Sequence, residues 1–130
     1  MDLIRKALEI AIKAHKGVVG KDGLDYVFHP ITVALKCNTS DEKVVALLHD
    51  VIEDTPMTLD DLRKEGFPDY IVEAVDEVTR RKPAESNGAA RWKYIERCKA
   101  NPIARVVKIA DLEHNSDLSR IQNPTEKMKR

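Results

Sequence analysis

A short apolar stretch of the chain contains four side chains that can bind metals or transfer protons. The stretch is LLHDVIEDT, residues 47 to 55, and the four residues are His49, Asp50, Glu53 and Asp54. On a helix, His49 and Glu53 are neighbours at i, i+4, and so are Asp50 and Asp54. Carboxylates near a helix C-terminus are disfavoured by the helix dipole, so the arrangement is locally unfavourable. The pattern indicates that another group, such as a cation, compensates for it.

Exposure on the protein surface explains Glu53 and Asp54 better than it explains His49 and Asp50. Exposed acids are common, so a solvated helix face is an equally good interpretation for Glu53 and Asp54. It is a poorer interpretation for His49 and Asp50, because they directly follow the apolar residues 46 to 48. At least one of them should point inward, and a buried aspartate needs a partner. A metal ion and a buried ion pair both meet that need.

Two further segments place polar groups where the apolar pattern predicts burial. In VVKIADLEHN, residues 106 to 115, Asp111 follows an apolar run and Asn115 lies one turn later on the same face. Lys108 lies one turn before Asp111, where it is either a solvated surface charge or a group that holds a phosphate. In VFHP, His29 stands at the start of a predicted helix, where a packed histidine is more common than a metal ligand.

Two histidines and two aspartates in apolar settings form a candidate metal site with nitrogen and oxygen ligands. These residues are His29, His49, Asp50 and Asp111. Imidazole combined with carboxylate suits Mn, Fe, Zn or Ni better than Ca or Mg. The three segments are far apart in sequence, so their spacing leaves both a shared metal site and separate structural roles open.

The elements that must position these side chains are predicted to be helices. Apolar residues recur at steps of three and four along most of the chain, and no stretch shows the alternation of a strand. The predicted helices cover residues 2–16, from His29 to about Cys37, 39–54, 58–66, 68–78, 90–100, and a last one that starts at Pro102. Residues 80–90 are polar and predicted to be a loop. We therefore expect an all-α, single-domain bundle of about six to seven helices over residues 1–130, with its C-terminal end either truncated or loose.

Composition bears on two questions: which partners the protein binds and which cell compartment it occupies. The 130 residues include 22 basic and 22 acidic ones, so net charge gives no general attraction to nucleic acid or to an anionic membrane. No apolar run approaches the roughly 20 residues needed to cross a bilayer, and the N-terminus has no signal-peptide pattern. Cys37 and Cys98 lack metal-type spacing, which predicts free thiols in a reducing cytoplasm. The oligomeric state is left open.

Four segments resemble successive motifs of the RelA/SpoT-type HD hydrolase domain. They are AIKAHKG, KDGLDYVFHPITVAL, ALLHDVIEDT and KIADLEHN. The doublet His49-Asp50 is the one that names the HD superfamily of metal-dependent phosphohydrolases. The resemblance covers about residues 3 to 120, and ALLHDVIEDT is a long and specific match. It implies an enzyme that uses a metal-activated water to remove pyrophosphate from the 3′ position of the nucleotide (p)ppGpp.

The resemblance also implies roles for individual residues. The implied ligands of a divalent cation, usually Mn²⁺ in this family, are His29, His49, Asp50 and Asp111. Glu53 and Asp54 match the acidic pair that orients or deprotonates the attacking water. Asn115 matches a residue near the nucleotide, and Lys21 matches a basic loop residue beside the base and the ribose. His114 lies outside the ligand set and is a candidate for supporting it.

Two departures from the family pattern affect the expected substrate. The family commonly has an arginine just before the loop lysine, where this chain has Gly20. After Asn115 the family often reads Met-Arg-Thr, where this chain reads Ser116-Asp117-Leu118. Phosphoester hydrolysis is therefore better supported than the identity of the base, and another nucleotide or a phosphorylated dinucleotide is an alternative substrate. A catalytically silent nucleotide-binding module is a third hypothesis, although the four implied ligands and the acidic pair are all present.

Overall fold

The fold is all-α, as the sequence predicts. The computed structural model describes residues 2–20, 23–79 and 88–116, and these contain eight helices. The helices are α1 (Leu3–Ala14), α2 (Phe28–Leu35), α3 (Ser40–Leu48), α4 (Val51–Asp54), α5 (Leu59–Lys64), α6 (Asp69–Val78), α7 (Gly88–Ala100) and α8 (Pro102–Asn115). Because α3 and α4 share one predicted range, the eight helices correspond to the seven predicted ones. Among the described residues, β-structure is limited to an isolated antiparallel bridge between Val19 and Asp25.

The helix predicted over residues 39–54 differs from the structure, which interrupts it at His49 and Asp50. The carbonyl of Ala46 accepts hydrogen bonds from the backbone N–H of His49 at 3.4 Å and from its ring Nδ1 at 2.5 Å. In a continuous helix that carbonyl accepts from the N–H of residue 50. The polar side chain thus competes with the helical hydrogen-bond pattern, and the chain turns before α4 begins.

The helix starts follow from local sequence signals. Thr39 and Glu42 have capping-box spacing in the sequence and form that box at the start of α3, and Thr58 and Asp61 form an equivalent box at the start of α5. The side chain of Asn101 caps α8, whose first residue is a proline. Helix α7 begins at Gly88, inside the stretch predicted to be a loop.

Helix α3 forms the centre of the molecule and packs against α1, α2, α6 and α8. Its last five residues, Val44, Val45, Ala46, Leu47 and Leu48, are all buried. A helix that is apolar on every side is stable only when neighbours cover it, which these four helices do. The C-terminal end of α3 therefore delivers His49 into the interior of the protein.

Helix α8 presents one buried stripe to this centre. The stripe consists of Ala104, Val107, Ala110, Asp111 and His114. It contacts α2, α3, α6 and α7. The same helical period that buries the apolar residues therefore also carries two polar side chains inward.

Both cysteines are free and buried, consistent with the thiol prediction. Within the described ranges, no helix combines the length and the apolar character that crossing a bilayer requires.

Candidate metal centre

Three separate parts of the fold bring the four predicted ligands together. His29 lies in the first turn of α2, and His49 and Asp50 form the turn between α3 and α4. Asp111 lies on the buried stripe of α8. Helices α2, α3 and α8 all contact one another, so their polar side chains meet in one place.

The ligand atoms lie close enough to share one ion. Nε2 of His29 is 2.7 Å from Oδ1 of Asp111, and Nε2 of His49 is 3.4 Å from the same oxygen. Oδ2 of Asp50 lies 3.1 Å from Nε2 of His49 and 4.0 Å from Nε2 of His29. Neighbouring ligands of an ion bound at about 2.1 Å are roughly 3.0 to 3.4 Å apart. His29, His49 and Asp111 are all buried and form a possible metal site, and Asp50 lies at its edge.

The ring of His49 shows why a cation fits this cluster. Its Nδ1 faces the carbonyl oxygen of Ala46, which can only accept, so Nδ1 carries a proton. Its Nε2 is buried and makes no hydrogen bond to any described residue, although two carboxylate oxygens lie within 3.4 Å of it. In neutral imidazole this nitrogen presents a lone pair, which repels carboxylate oxygens. Either an added proton or a divalent cation between the three atoms removes that repulsion.

The pKa shifts within the cluster also indicate that it requires a positive charge. Burial alone would lower the pKa of His49, but the carboxylates of Asp50 and Asp111 outweigh it and raise that pKa well above its usual value. Burial would raise the pKa of Asp50, but His49 and the Tyr26 hydroxyl hold it well below its usual range. The pKa of Asp111 is likewise lowered despite burial, through His29, His49 and Lys108. The cluster therefore keeps both carboxylates ionised and attracts positive charge.

Each aspartate is held by a partner outside the ligand set. The hydroxyl of Tyr26 donates to Oδ2 of Asp50 at 2.5 Å. Lys108 Nζ donates to Oδ2 of Asp111 at 3.3 Å, and Asn115 Nδ2 donates to Oδ1 of the same residue at 3.2 Å. Lys108 and Asn115 were predicted to bind substrate, and the structure places both on a predicted metal ligand. Contacts of this kind fix the orientation of metal-binding side chains.

The predicted acidic pair lies beside the cluster. Glu53 is half-buried and Asp54 is exposed at the end of α4. Asp54 lines a cleft of about 310 Å³ together with Ala14, His15, Val18 and Tyr26. Because the Tyr26 hydroxyl also donates to Asp50, the cleft adjoins the predicted metal site on the side of Asp50. A small molecule in this cleft would be near both the acids and the candidate metal site.

Some predicted features of the substrate side lie outside the described residues. Lys21 and Asp117 are among them. Gly20 is described: its backbone N–H donates to the carbonyl of Leu24 at 2.8 Å.

Two further residues contact the cluster: Tyr26, which the sequence pattern does not single out, and His114, which lies outside the predicted ligand set. On a helix, His114 is rotated by about 100° from its neighbour Asn115, so that neighbour does not predict its contact. The more informative comparison is with Val107 and Asp111, because His114 continues their stripe at i+7 and i+3.

The sequence of the chain is similar to those of several known proteins. No family model matches the chain. Its sequence is 32% identical over 135 residues to a probable GTP pyrophosphokinase of Mycobacterium leprae, covering 95% of this chain and 17% of the relative. It is 32% identical over 124 residues to the bifunctional (p)ppGpp synthase/hydrolase SpoT of Escherichia coli, covering 86% and 17%. The guanosine-3′,5′-bis(diphosphate) 3′-pyrophosphohydrolase of Borreliella burgdorferi is 34% identical over 124 residues, covering 86% and 18%. The chain thus spans less than a fifth of the length of these relatives.

A solved structure extends the similarity to three dimensions. It is described as a metazoan ortholog of SpoT that hydrolyzes ppGpp, and it superimposes with a TM-score of 0.73 at 29% sequence identity. The match covers 92% of this chain and 71% of that one. Together with the motif at His49-Asp50, these similarities show that the chain contains a RelA/SpoT-type HD hydrolase domain.

Proposed function

We propose that this domain hydrolyses (p)ppGpp at its 3′ pyrophosphate. The oxygen of water forms a bond to the phosphorus next to the ribose 3′ oxygen, and the bond from that phosphorus to the 3′ oxygen breaks. The 3′ oxygen takes up a proton, so ppGpp and water give GDP and pyrophosphate. The names of the relatives from Escherichia coli and Borreliella burgdorferi and the activity of the metazoan neighbour support this choice of substrate.

The convergence of two imidazoles and two carboxylates on one buried point carries the proposal. In it, His29, His49, Asp50 and Asp111 hold one divalent cation, and their nitrogen and oxygen donors suit Mn²⁺, with other transition metals as substitutes. When bound there, the cation supplies Lewis acidity and offsets the negative charge of a phosphate group. Without such a charge, the two ionised aspartates would repel a phosphate.

Glu53 and Asp54 are the proposed groups that orient the attacking water and accept its proton. Both are carboxylates on α4 beside the cluster, and Asp54 borders the adjoining cleft. A carboxylate at that border can orient a water molecule and accept its proton as the water attacks phosphorus. The same proton is then available for the ribose 3′ oxygen.

Lys108, Asn115 and Lys21 are the proposed substrate-binding residues. Lys108 uses one of its three N–H donors on Asp111 and has two more for a phosphate oxygen. Its Nζ also lies 5.2 Å from the ring centroid of Tyr94, and this cation–π contact restrains the position of the ammonium group. Asn115 is fixed by its own bond to Asp111. Lys21 is proposed from the family pattern alone.

A second candidate keeps the chemistry and changes the nucleotide. Gly20 supports it, because a glycine cannot stack on a guanine as the family arginine does. An assay of phosphate and pyrophosphate release from a panel of nucleotides and phosphorylated dinucleotides separates the two candidates. Turnover of ppGpp at least as fast as that of every other compound supports the first.

The test of the proposed function is a direct assay with two matched variants. The purified chain with Mn²⁺ should convert ppGpp to GDP and pyrophosphate, measured by ion-exchange chromatography. Asp50→Asn should lose both bound metal and turnover. The double variant Glu53→Gln/Asp54→Asn should keep the metal and lose about 10²- to 10⁴-fold in kcat. Metal-loaded wild-type protein that leaves ppGpp intact would contradict the proposal.

A further inference from the structure

His29 makes a second contact that its predicted role as a ligand does not explain. Its Nδ1 lies 2.7 Å from Nδ1 of His114, and both side chains are buried. The two rings are nearly parallel, at 12°, with their centroids 5.0 Å apart. Two ring nitrogens at this distance share one proton, because one must donate and the other must accept.

The direction of this hydrogen bond follows from the other side of the His29 ring. Nε2 of His29 faces Oδ1 of Asp111 at 2.7 Å, inside the candidate metal site. A nitrogen that binds a cation must offer its lone pair, so the single proton of neutral His29 then resides on Nδ1. That proton points at Nδ1 of His114, which accepts it, and His114 carries its own proton on Nε2.

We propose that His114 is a positioning residue of the metal centre, which accepts the Nδ1 proton of His29 and thereby keeps the Nε2 lone pair of His29 directed at the cation. Helix α8 then contributes one ligand, Asp111, and holds a second ligand that belongs to α2. The proposal rests on the metal centre of the proposed function and is independent of which nucleotide is the substrate.

A pair of variants separates hydrogen bonding from simple packing. His114→Leu fills the space but accepts no proton, and it should weaken metal binding by about 10- to 100-fold. His114→Asn places an amide oxygen close to where Nδ1 was, and it should bind metal within a few-fold of wild type. Leu112→Ala, at a half-exposed position on the same helix, is the control and should bind like wild type. The probe is Co²⁺, titrated into metal-free protein and followed by its visible absorption.

Equal Co²⁺ affinity of the Leu variant and wild type would overturn the proposal, and so would an equal loss in the Asn and Leu variants. If circular dichroism shows that His114→Leu does not fold, the proposal is tested by NMR spectroscopy of the wild-type protein. In ¹⁵N-labelled, Zn²⁺-loaded protein, a proton on Nδ1 of His29 with a scalar coupling to Nδ1 of His114 supports the proposal. A proton on Nε2 of His29 contradicts it. Wild-type protein that binds no Co²⁺ overturns this inference together with the metal centre, whereas metal binding without ppGpp turnover counts against the substrate assignment only.

Discussion

At the scale of single residues, the central feature is an imidazole nitrogen placed between two carboxylates. Nε2 of His49 lies 3.1 Å from Asp50 and 3.4 Å from Asp111 and is closed off from water. A buried lone pair facing two ionised oxygens is unstable without added positive charge. Asp50 and Asp111 outweigh burial and raise the pKa of His49, so in the metal-free protein a proton on Nε2 takes the place of the proposed cation.

Tyr26→Phe tests whether a residue that hydrogen-bonds a metal ligand contributes to metal affinity. The change removes the hydrogen bond to Oδ2 of Asp50 and leaves the ring in place. Asp50 then has one fewer group holding its orientation, so Mn²⁺ affinity should fall about 10-fold or more, measured by isothermal titration calorimetry. Tyr70→Phe removes an exposed hydroxyl that bonds Asp41 far from the site, and it should bind Mn²⁺ like wild type. Equal affinities for both variants would show that Tyr26 does not orient Asp50.

The residue types and the helical period predict much of the site. Asp111 could be placed because it continues an apolar stripe, and His49-Asp50 because they follow one. The contacts of Tyr26 and His114 could not be predicted in the same way. Each depends on how two helices or loops approach each other, and a single sequence without its packing does not contain those distances.

At the scale of elements, the interruption between α3 and α4 orients the site. If residues 39–54 formed one helix, His49 and Asp50 would lie about 100° apart on its surface. The turn instead lets the Nε2 of His49 and the Oδ2 of Asp50 face the same point. The sequence predicts the cap and the length of this region correctly. It does not predict the break, because the break depends on a side-chain hydrogen bond to the backbone.

Thr39→Ala should destabilise the protein without changing the site. The threonine hydroxyl accepts from the backbone N–H of Glu42 at 3.1 Å and begins the central helix α3. Losing this cap should lower the free energy of unfolding by about 1 kcal/mol, measured by urea denaturation followed by circular dichroism. Mn²⁺ affinity should stay within a few-fold of wild type. A larger loss of Mn²⁺ affinity would mean that the start of α3 influences the metal site.

At the scale of the whole molecule, one cluster ties together helices α2, α3, α4 and α8. In the metal-free protein its stability depends on charges that titrate. The pKa of His49 is raised on folding, so its contribution is complete below the unfolded value of about 6.5 and is lost as the pH rises through the folded value. The pKa values of Asp50 and Asp111 are lowered, so their contribution is lost as the pH falls below about 4.

The metal-free protein should therefore become less stable above about pH 6.5, by roughly 1 kcal/mol per pH unit until the folded pKa of His49 is reached. Burial lowers the pKa of His15, so its effect lies below that pH and does not oppose the trend. Protein saturated with Mn²⁺ should show no such decline between pH 6.5 and 8, because the cation replaces the proton. Urea denaturation with chelator and with Mn²⁺ measures both curves. Parallel curves would contradict this coupling of metal and proton.

Anomalous diffraction at the manganese edge, from crystals of the chain grown with Mn²⁺, would locate the proposed cation. The proposed metal centre predicts one peak at about 2.0 to 2.3 Å from ligand atoms of His29, His49, Asp50 and Asp111. A peak held by other residues, or no peak at saturating Mn²⁺, would contradict it.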